Sequence, residues 1–299
     1  MYMFTRKTIP DYAVKCLDAA QKCFSWSSIA REKQESTPEV YGTAILASIE
    51  LFKATKKDFY KQYAVQQAAK LKQLQAEKTA GELSGFFYSS ENNSEPYRQV
   101  LGSSEFIAIC SLAEEFPLHT DLKIWKTIIE NYVNNYLLAL ASRNSFNLVL
   151  FGVFSKDPGG NRTAGKYWYR YFMQPELNWW VGINANAASA AIGLIKASAL
   201  LHNKSLLSLA QRELDWICGS NPFNSSTIVG CGNNQPPAYQ TTSFVPGIPA
   251  ITGAVMNGIG GDHNDQPFKG DGIWQVSEYW TPMVATTLWL IKEVEKNIR

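Results

Sequence analysis

Apolar residues recur at intervals of three and four along most of the chain, which is the spacing that places them on one face of an α-helix. An early example follows Pro10, where residues 12, 14, 17, 20, 23 and 24 are apolar or aromatic. This pattern predicts helices at residues 11–28, 38–56, 59–77, 103–116, 120–142, 183–201, 205–218 and 282–297. Segments rich in Val, Ile and Thr at strand periodicity are scarce, so the chain is predicted to be mainly α.

Short turns between neighbouring helices favour antiparallel α-hairpins arranged in a ring. The alternative is an open α-solenoid, but its connections are usually short. Three connections here are long, at residues 79–102, 144–182 and 219–278, and the pattern predicts no regular element in them. Long loops are commonly functional, and in a ring of hairpins they would gather at one end as the walls of a cleft.

Composition narrows the class of protein. The 299 residues are 45% hydrophobic and no Pro, Gly or Ser linker divides them, so we expect a single domain over residues 1–299. The net charge of +2 comes from dispersed Lys and Arg, which argues against nucleic acid as a partner. Neither a signal peptide nor a membrane span is predicted, and the protein is expected to be a monomer. The five Cys and three His residues are scattered, so no metal site is predicted from them.

Specific motifs cluster in the second half of the chain. They include Trp179-Trp180-Val-Gly182 before an alanine-rich helix, Gly219-Ser-Asn221-Pro222, and Gly260-Gly261-Asp262, with Glu278 just ahead of the last helix. In this order they resemble the motifs of glycoside hydrolase family nine, the cellulase-type (α/α)6 barrels. The resemblance implies a toroid-like barrel, and the chain corresponds to a domain incomplete at its N-terminus.

The resemblance also implies an activity and roles for several residues. It implies inverting, endoglucanase-like hydrolysis of β-glycosidic bonds in a glucan or related plant polysaccharide, with Glu278 as general acid and Trp180 as a stacking residue. Members of the family are usually secreted or periplasmic. The family's domain carries near its start an Asp-x-x-Asp motif that holds the attacking water. This motif has no counterpart in this chain before residue 20. The sugar-contacting "Pro-His-His-Arg" is replaced by Pro236-Pro237-Ala-Tyr239-Gln240.

The residues around Glu278 suit an acid in their own right. Trp274, Tyr279 and Trp280 would restrict water around the carboxyl, which favours its protonated form. The alternative is that Glu278 interacts only with the positive end of the following helix.

Carboxylates also concentrate in one glycine-rich loop. Asp262 and Asp265 lie there beside His263 and Asn264, where they could bind sugar hydroxyls or a calcium ion, or form a solvated turn. No cofactor is expected apart from a calcium ion that this loop could bind, and no catalytic base is assigned.

Aromatic residues in the loops form the predicted binding surface. Sugar rings pack their C–H faces on aromatic rings, and the candidates are Trp179, Trp180, Tyr239, Trp274 and Tyr279. An oligosaccharide or polysaccharide is therefore the expected partner. Two alternatives to hydrolysis are a carbohydrate-binding protein without catalysis and a helical scaffold that binds protein. A polysaccharide lyase or unsaturated-uronide hydrolase is less favoured, because the loops are poor in His.

Overall fold

The computed structural model describes residues 2–31, 36–98, 101–173, 180–239 and 250–297. The helices are α1 (Tyr2–Thr5), α2 (Pro10–Arg31), α3 (Pro38–Thr55), α4 (Asp58–Gln73), α5 (Ser104–Glu115), α6 (Leu122–Asn131), α7 (Leu138–Ala141), α8 (Asn184–Leu200), α9 (Ser205–Cys218), α10 (Trp274–Ser277) and α11 (Thr281–Asn297). The strands are β1 (Tyr88–Ser90), β2 (Asn93–Pro96), β3 (Gly152–Phe154), β4 (Thr163–Ala164), β5 (Tyr167–Arg170), β6 (Gly260–Gly261) and β7 (Pro267–Phe268).

Helices α3, α5, α8 and α11 pack side by side in that order and form the inner wall of the fold. Their direction follows from ion pairs near their C-terminal ends, where Lys53 contacts Glu115 at 3.7 Å and Lys196 contacts Glu114 at 2.6 Å. At the other end, the N–H of Ser103 donates to the Ser189 hydroxyl at 2.7 Å. A groove of about 670 Å³ is lined by the C-terminal halves of all four helices. The inner helices are therefore parallel.

The returning helices pack outside this wall. Helix α4 packs on α3, α6 on α5, and α9 on α8. One apolar cluster extends from Tyr41 to Val294 and contains the buried faces of these helices. Gly193 of α8 lets the ring of Phe106 on α5 approach closely, since a Cβ at this position would lie 2.2 Å from Phe106 Cδ1. The core is thus formed mainly by helix-to-helix packing.

The helix between α6 and α7 contains a π-helical segment, Tyr132–Leu137. Single π-helical turns inside α-helices are uncommon and often occur near functional sites. This segment holds Tyr132 and Tyr136, which are both buried. It also continues α6 into α7, so the predicted helix at residues 120–142 is confirmed but is not regular throughout.

The other predicted helices are confirmed, with most ends within two residues of the observed ones. The largest difference is at the end of α4, which stops at Gln73 instead of residue 77, because Gln75 forms a bridge with Phe87. In the described ranges, no helix is long and apolar enough to cross a membrane.

The three long connections precede α5, α8 and α11, so they lie at the N-terminal end of the inner helices. The prediction that they lack regular structure is wrong. The first contains the antiparallel pair β1 and β2, the second a three-stranded sheet in the order β3, β5, β4, and the third the pair β6 and β7. These strands are two to four residues long, and each pairs within its own connection.

Candidate active site

Glu278 ends a short turn that is fixed by two other extended segments. We call residues 274–278 the Glu278 turn, residues 182–184 the α8 entry, and residues 256–259 the central segment. The N–H of Gly182 donates to the carbonyl of Gln275 at 2.8 Å, which joins the α8 entry to the Glu278 turn. The acid candidate is therefore attached directly to the start of an inner helix.

The central segment lies between the other two and bonds to both. The N–H of Gly258 donates to the Val276 carbonyl at 2.9 Å, and the N–H of Asn257 donates to the Glu278 carbonyl at 2.7 Å. On its other side, the Asn257 carbonyl accepts the N–H of Asn184 at 3.0 Å. These bonds fix the backbone of Glu278 relative to the N-terminus of α8.

Glycine is required where these segments meet. Gly258 has a φ of +98°, and a Cβ there would lie 2.2 Å from the Asn184 side-chain oxygen. A Cβ on Gly182 would lie 1.9 Å from the Gly258 carbonyl oxygen. A larger residue at either position would push the α8 entry away from the central segment.

The turn after α9 supports the same frame. Gly219 ends the helix with a φ of +119°. The Asn221 amide then donates to the carbonyls of Trp216 at 3.0 Å and Ser225 at 2.9 Å, and its oxygen accepts two backbone N–H groups at 3.2 Å. Thr227 follows, and its hydroxyl accepts the Asn184 amide at 2.8 Å. The Gly-Ser-Asn-Pro motif is thus a hydrogen-bonded turn that leads the chain back to the α8 entry.

The Glu278 carboxyl group is half-buried. Its backbone N–H donates to the Trp274 carbonyl at 3.2 Å, while its carboxylate oxygens form no hydrogen bond or ion pair with any residue in the described ranges. A carboxyl group on a fixed backbone with open oxygens can transfer a proton to a ligand. In its protonated form this carboxyl group is therefore chemically suited to the role of a general acid.

Three predicted aromatic contacts remain partly exposed. Trp274 begins the Glu278 turn and Tyr279 follows it, and both side chains are half-buried. Tyr279 packs against the small cluster of Val229, Ala238, Ala254 and Met256. Tyr239, which is also half-buried, directly follows Ala238 of that cluster. These three rings are the predicted stacking residues that keep part of their surface exposed.

Trp180 lies in a different environment from the one predicted. Its side chain is only 6% exposed, and its ring packs on Gly260 and 6.3 Å from the ring of Phe268. The indole contributes to the core in this structure, so it offers little face to a sugar. The prediction for Trp179 lies outside the described residues.

Asp265 lies at the centre of a buried network that joins the second and third connections. Its carboxylate accepts N–H groups from Tyr171 and Phe172 at 3.0 Å and pairs with Arg162 at 2.8 Å and Arg170 at 3.6 Å. Burial raises the pKa of this carboxyl, although the N–H donors and arginines act in the opposite direction. With 0% side-chain exposure, Asp265 stabilises the loops and has no surface for a direct sugar contact.

Asp262 closes the same loop. Its Oδ1 accepts the N–H groups of Asn264 and Gln266, both at 2.8 Å. Asp262 and Asp265 have the spacing of an Asp-x-x-Asp motif, but Oδ1 of Asp262 accepts two N–H groups and the Asp265 carboxylate is fully buried among protein donors. The buried Asp265 cannot hold an attacking water together with Asp262. Calcium binding at this loop stays a prediction.

A small polar chamber between the starts of α5 and α8 was not predicted. This cavity of about 20 Å³ is lined by Glu105, Tyr132, Tyr136 and Asn186, among others. That volume suits about one water molecule. Burial, followed by the charge of Glu105, raises the pKa of both tyrosines. The spacing of apolar residues placed positions 103 and 105 in the predicted helix at residues 103–116 and indicated no further role for them.

Glu213 of α9 anchors the second connection from outside the ring. Its carboxyl is fully buried, and Oε1 accepts the N–H of Val149 at 2.8 Å. Burial raises its pKa from 4.5 to about 8, against the opposing effect of the Val149 hydrogen bond, and no charged group among the described residues pairs with it. Its amphipathic position on α9 could have suggested burial, but its partner is 64 residues away.

Comparison with known structures places this fold among cellulases. The cellulase Cel9M of C. cellulolyticum is similar with a TM-score of 0.62 and 20% identity, covering 99% of this chain and 60% of that chain. An endoglucanase from the termite Nasutitermes takasagoensis has a TM-score of 0.59 and 17% identity, covering 98% of this chain and 62% of that chain. The architecture is thus that of the (α/α)6 barrels. This chain spans about three-fifths of the length of these two neighbours.

The family model for glycosyl hydrolase family 9 matches residues 1–290. The chain therefore belongs to glycosyl hydrolase family 9. A comparison with curated proteins finds no match.

Proposed function

We propose that the protein hydrolyses β-glycosidic bonds of a glucan or related plant polysaccharide, with inversion and with Glu278 as general acid. The observation that carries this proposal is the Glu278 turn, where hydrogen bonds fix the backbone while the carboxylate oxygens have no partner among the described residues. Family membership supports the reaction class. A Cel9M structure in complex with cellobiose, which has a TM-score of 0.63 to this chain, supports a β-linked glucose ligand.

The proposed reaction begins when Glu278 donates its proton to the glycosidic oxygen, and the bond from that oxygen to the anomeric carbon breaks. A water molecule attacks the opposite face of the anomeric carbon and gives up a proton to a base. Trp274, Tyr279 and Tyr239 are the proposed stacking residues. No base is assigned, because the Asp265 carboxylate is buried among protein donors and Oδ1 of Asp262 already accepts two N–H groups.

The test is reducing-end release from β-glucan, xylan and mannan by the wild type and by Glu278→Gln. Loss of a general acid typically lowers the rate by about 100-fold or more. Glu295→Gln is the matched control, since Glu295 is an exposed carboxylate on α11. Equal rates in the wild type and Glu278→Gln would contradict the role of Glu278. A folded wild type with no turnover on any glycan would contradict hydrolysis.

A second function, carbohydrate binding without hydrolysis, is favoured by one observation. Asp262 and Asp265 have the spacing of a water-holding motif, but their carboxylates bind groups of the protein, namely the Asn264 N–H and the Arg162 side chain, respectively. Binding can be measured by tryptophan fluorescence with cellotetraose, comparing Trp274→Ala with Trp26→Ala. Trp26 is 73% exposed on α2, outside the proposed site. Weaker binding only in Trp274→Ala, together with no turnover in the wild type, would support this alternative.

A further inference from the structure

Asn257 contacts both ends of the Glu278 turn. Its backbone N–H donates to the Glu278 carbonyl at 2.7 Å, and its side-chain amide donates to the Trp274 carbonyl at 2.8 Å. The residue is 0% exposed, so it cannot reach a ligand itself. Its contacts thus connect the acid candidate and a candidate stacking residue through their backbones.

The Trp274 carbonyl is a shared acceptor. It receives the Asn257 amide at 2.8 Å and the Glu278 N–H at 3.2 Å. Helix α10 is only four residues long, and a helix of that length has little stability of its own. External bonds must therefore determine the pitch of this turn, and the Asn257 side chain supplies one of them.

We propose that Asn257 is a positioning residue that sets the direction of the Glu278 carboxyl group. The proposal rests on the proposed function of Glu278 as general acid. The amide donor holds the Trp274 carbonyl in place, and this carbonyl in turn holds the N–H of Glu278. Loss of the donor allows the turn to shift, although no atom that touches the substrate has been removed. A displacement of about 1 Å can lower a rate by about 100-fold.

Asn257→Asp gives the sharpest test, because its ability to donate depends on pH. The Asn257 Oδ1 is buried and accepts no hydrogen bond from the residues that the structure describes, so an ionised carboxylate at this position would be disfavoured and would lack the donor. When protonated, the new carboxyl could donate to the Trp274 carbonyl. We expect kcat of Asn257→Asp, relative to the wild type at each pH, to approach the wild-type value at acid pH and to fall as the pH rises.

Asn257→Ala should lower kcat by about 100-fold at every pH, with a smaller change in KM. Gln75→Ala is the matched control, since Gln75 is also buried and its side-chain amide donates to the carbonyls of Gly85 and Ile128 but not to the Glu278 turn. This control should lose stability but show little change in kcat. A kcat in Asn257→Ala equal to that of the control, or an Asn257→Asp profile parallel to the wild type, would overturn the proposal.

Amide hydrogen exchange tests the positioning role of Asn257 independently of the proposed hydrolytic activity. The N–H groups of Val276, Ser277 and Glu278 all donate within the turn or to Ile273. In Asn257→Ala they should exchange faster, while the same amides in Gln75→Ala should not change. Faster exchange with no wild-type turnover would support the positioning of the turn and reject hydrolysis. Unchanged exchange would overturn the positioning role whether or not the protein is active.

Discussion

The inner wall of helices and the layer of loops at its N-terminal end are stabilised in different ways. The wall depends on apolar packing, as between Gly193 and Phe106. The loop layer depends on amide and carboxylate groups such as Asn221, Asn257 and Asp265, each with several hydrogen bonds. The wall should therefore be sensitive to side-chain volume, whereas the loops should be sensitive to donors and to backbone conformation.

The largest effect is expected for Gly258→Ala in the loop layer. The substitution combines a φ of +98° with a clash against Asn184, so it should cost about 3 to 5 kcal/mol of unfolding free energy. Gly253→Ala is the control, because Gly253 has a φ of +86° but nothing lies within 4 Å of its Cβ position. It should cost about 1 kcal/mol. Urea denaturation measures both, and equal losses would show that the close approach to Asn184 is unimportant.

Glu213→Gln tests the junction between the wall and the loops. Because the pKa of Glu213 is raised from 4.5 to about 8, its contribution to stability is complete below pH 4.5 and is lost as the pH rises through 8. The neutral glutamine keeps an acceptor for Val149 and should remove most of that pH dependence. Thermal unfolding from pH 4 to 9 measures it. Identical pH dependence in the wild type and the variant would contradict the prediction.

Asn221→Ala should cost about 2 kcal/mol, since it leaves the carbonyls of Trp216 and Ser225 without their donor. Asn221→Asp keeps the acceptor but lacks the amide donor, so it isolates the two donated bonds. Chemical denaturation of both variants gives the comparison. If Asn221→Asp were as stable as the wild type, the donated bonds would not stabilise the turn.

The smallest effect is expected in the wall. Gly193→Ala gains about 1 kcal/mol of helix propensity but clashes with the Phe106 ring, so the net loss should be about 1 kcal/mol. Adding Phe106→Leu tests the cause, because the loss from the two changes together should be smaller than the sum of the single losses. Strict additivity of the unfolding free energies would show that the two residues do not interact.

The same contrast explains what could be predicted from the sequence. The spacing of apolar residues located the helices well, since packing on one face leaves a periodic pattern; α9 was predicted with its observed ends. The short strands of the connections leave no such pattern. Asn257 left no signal either, because its role depends on bonds to residues 17 and 21 positions away. Trp180 was predicted as a stacking residue but is buried in the structure, because the sequence does not distinguish a buried indole from an exposed one.

The π-helical segment Tyr132–Leu137 has a consequence for how this chain can vary in length. A π-helical turn holds more residues than an α-helical turn, so deleting one codon between Tyr132 and Tyr136 could leave a continuous α-helix. Because the surplus residue lies within the π-helical turn, its removal would leave the residues after Leu137 on their present faces. The buried Leu140 and Ala141 would keep their packing, and the change would be confined to the part of the helix that carries Tyr132 and Tyr136 beside Glu105. A one-residue deletion here should therefore be better tolerated than one inside a regular helix such as α5, where every later residue of the helix would rotate by about 100°.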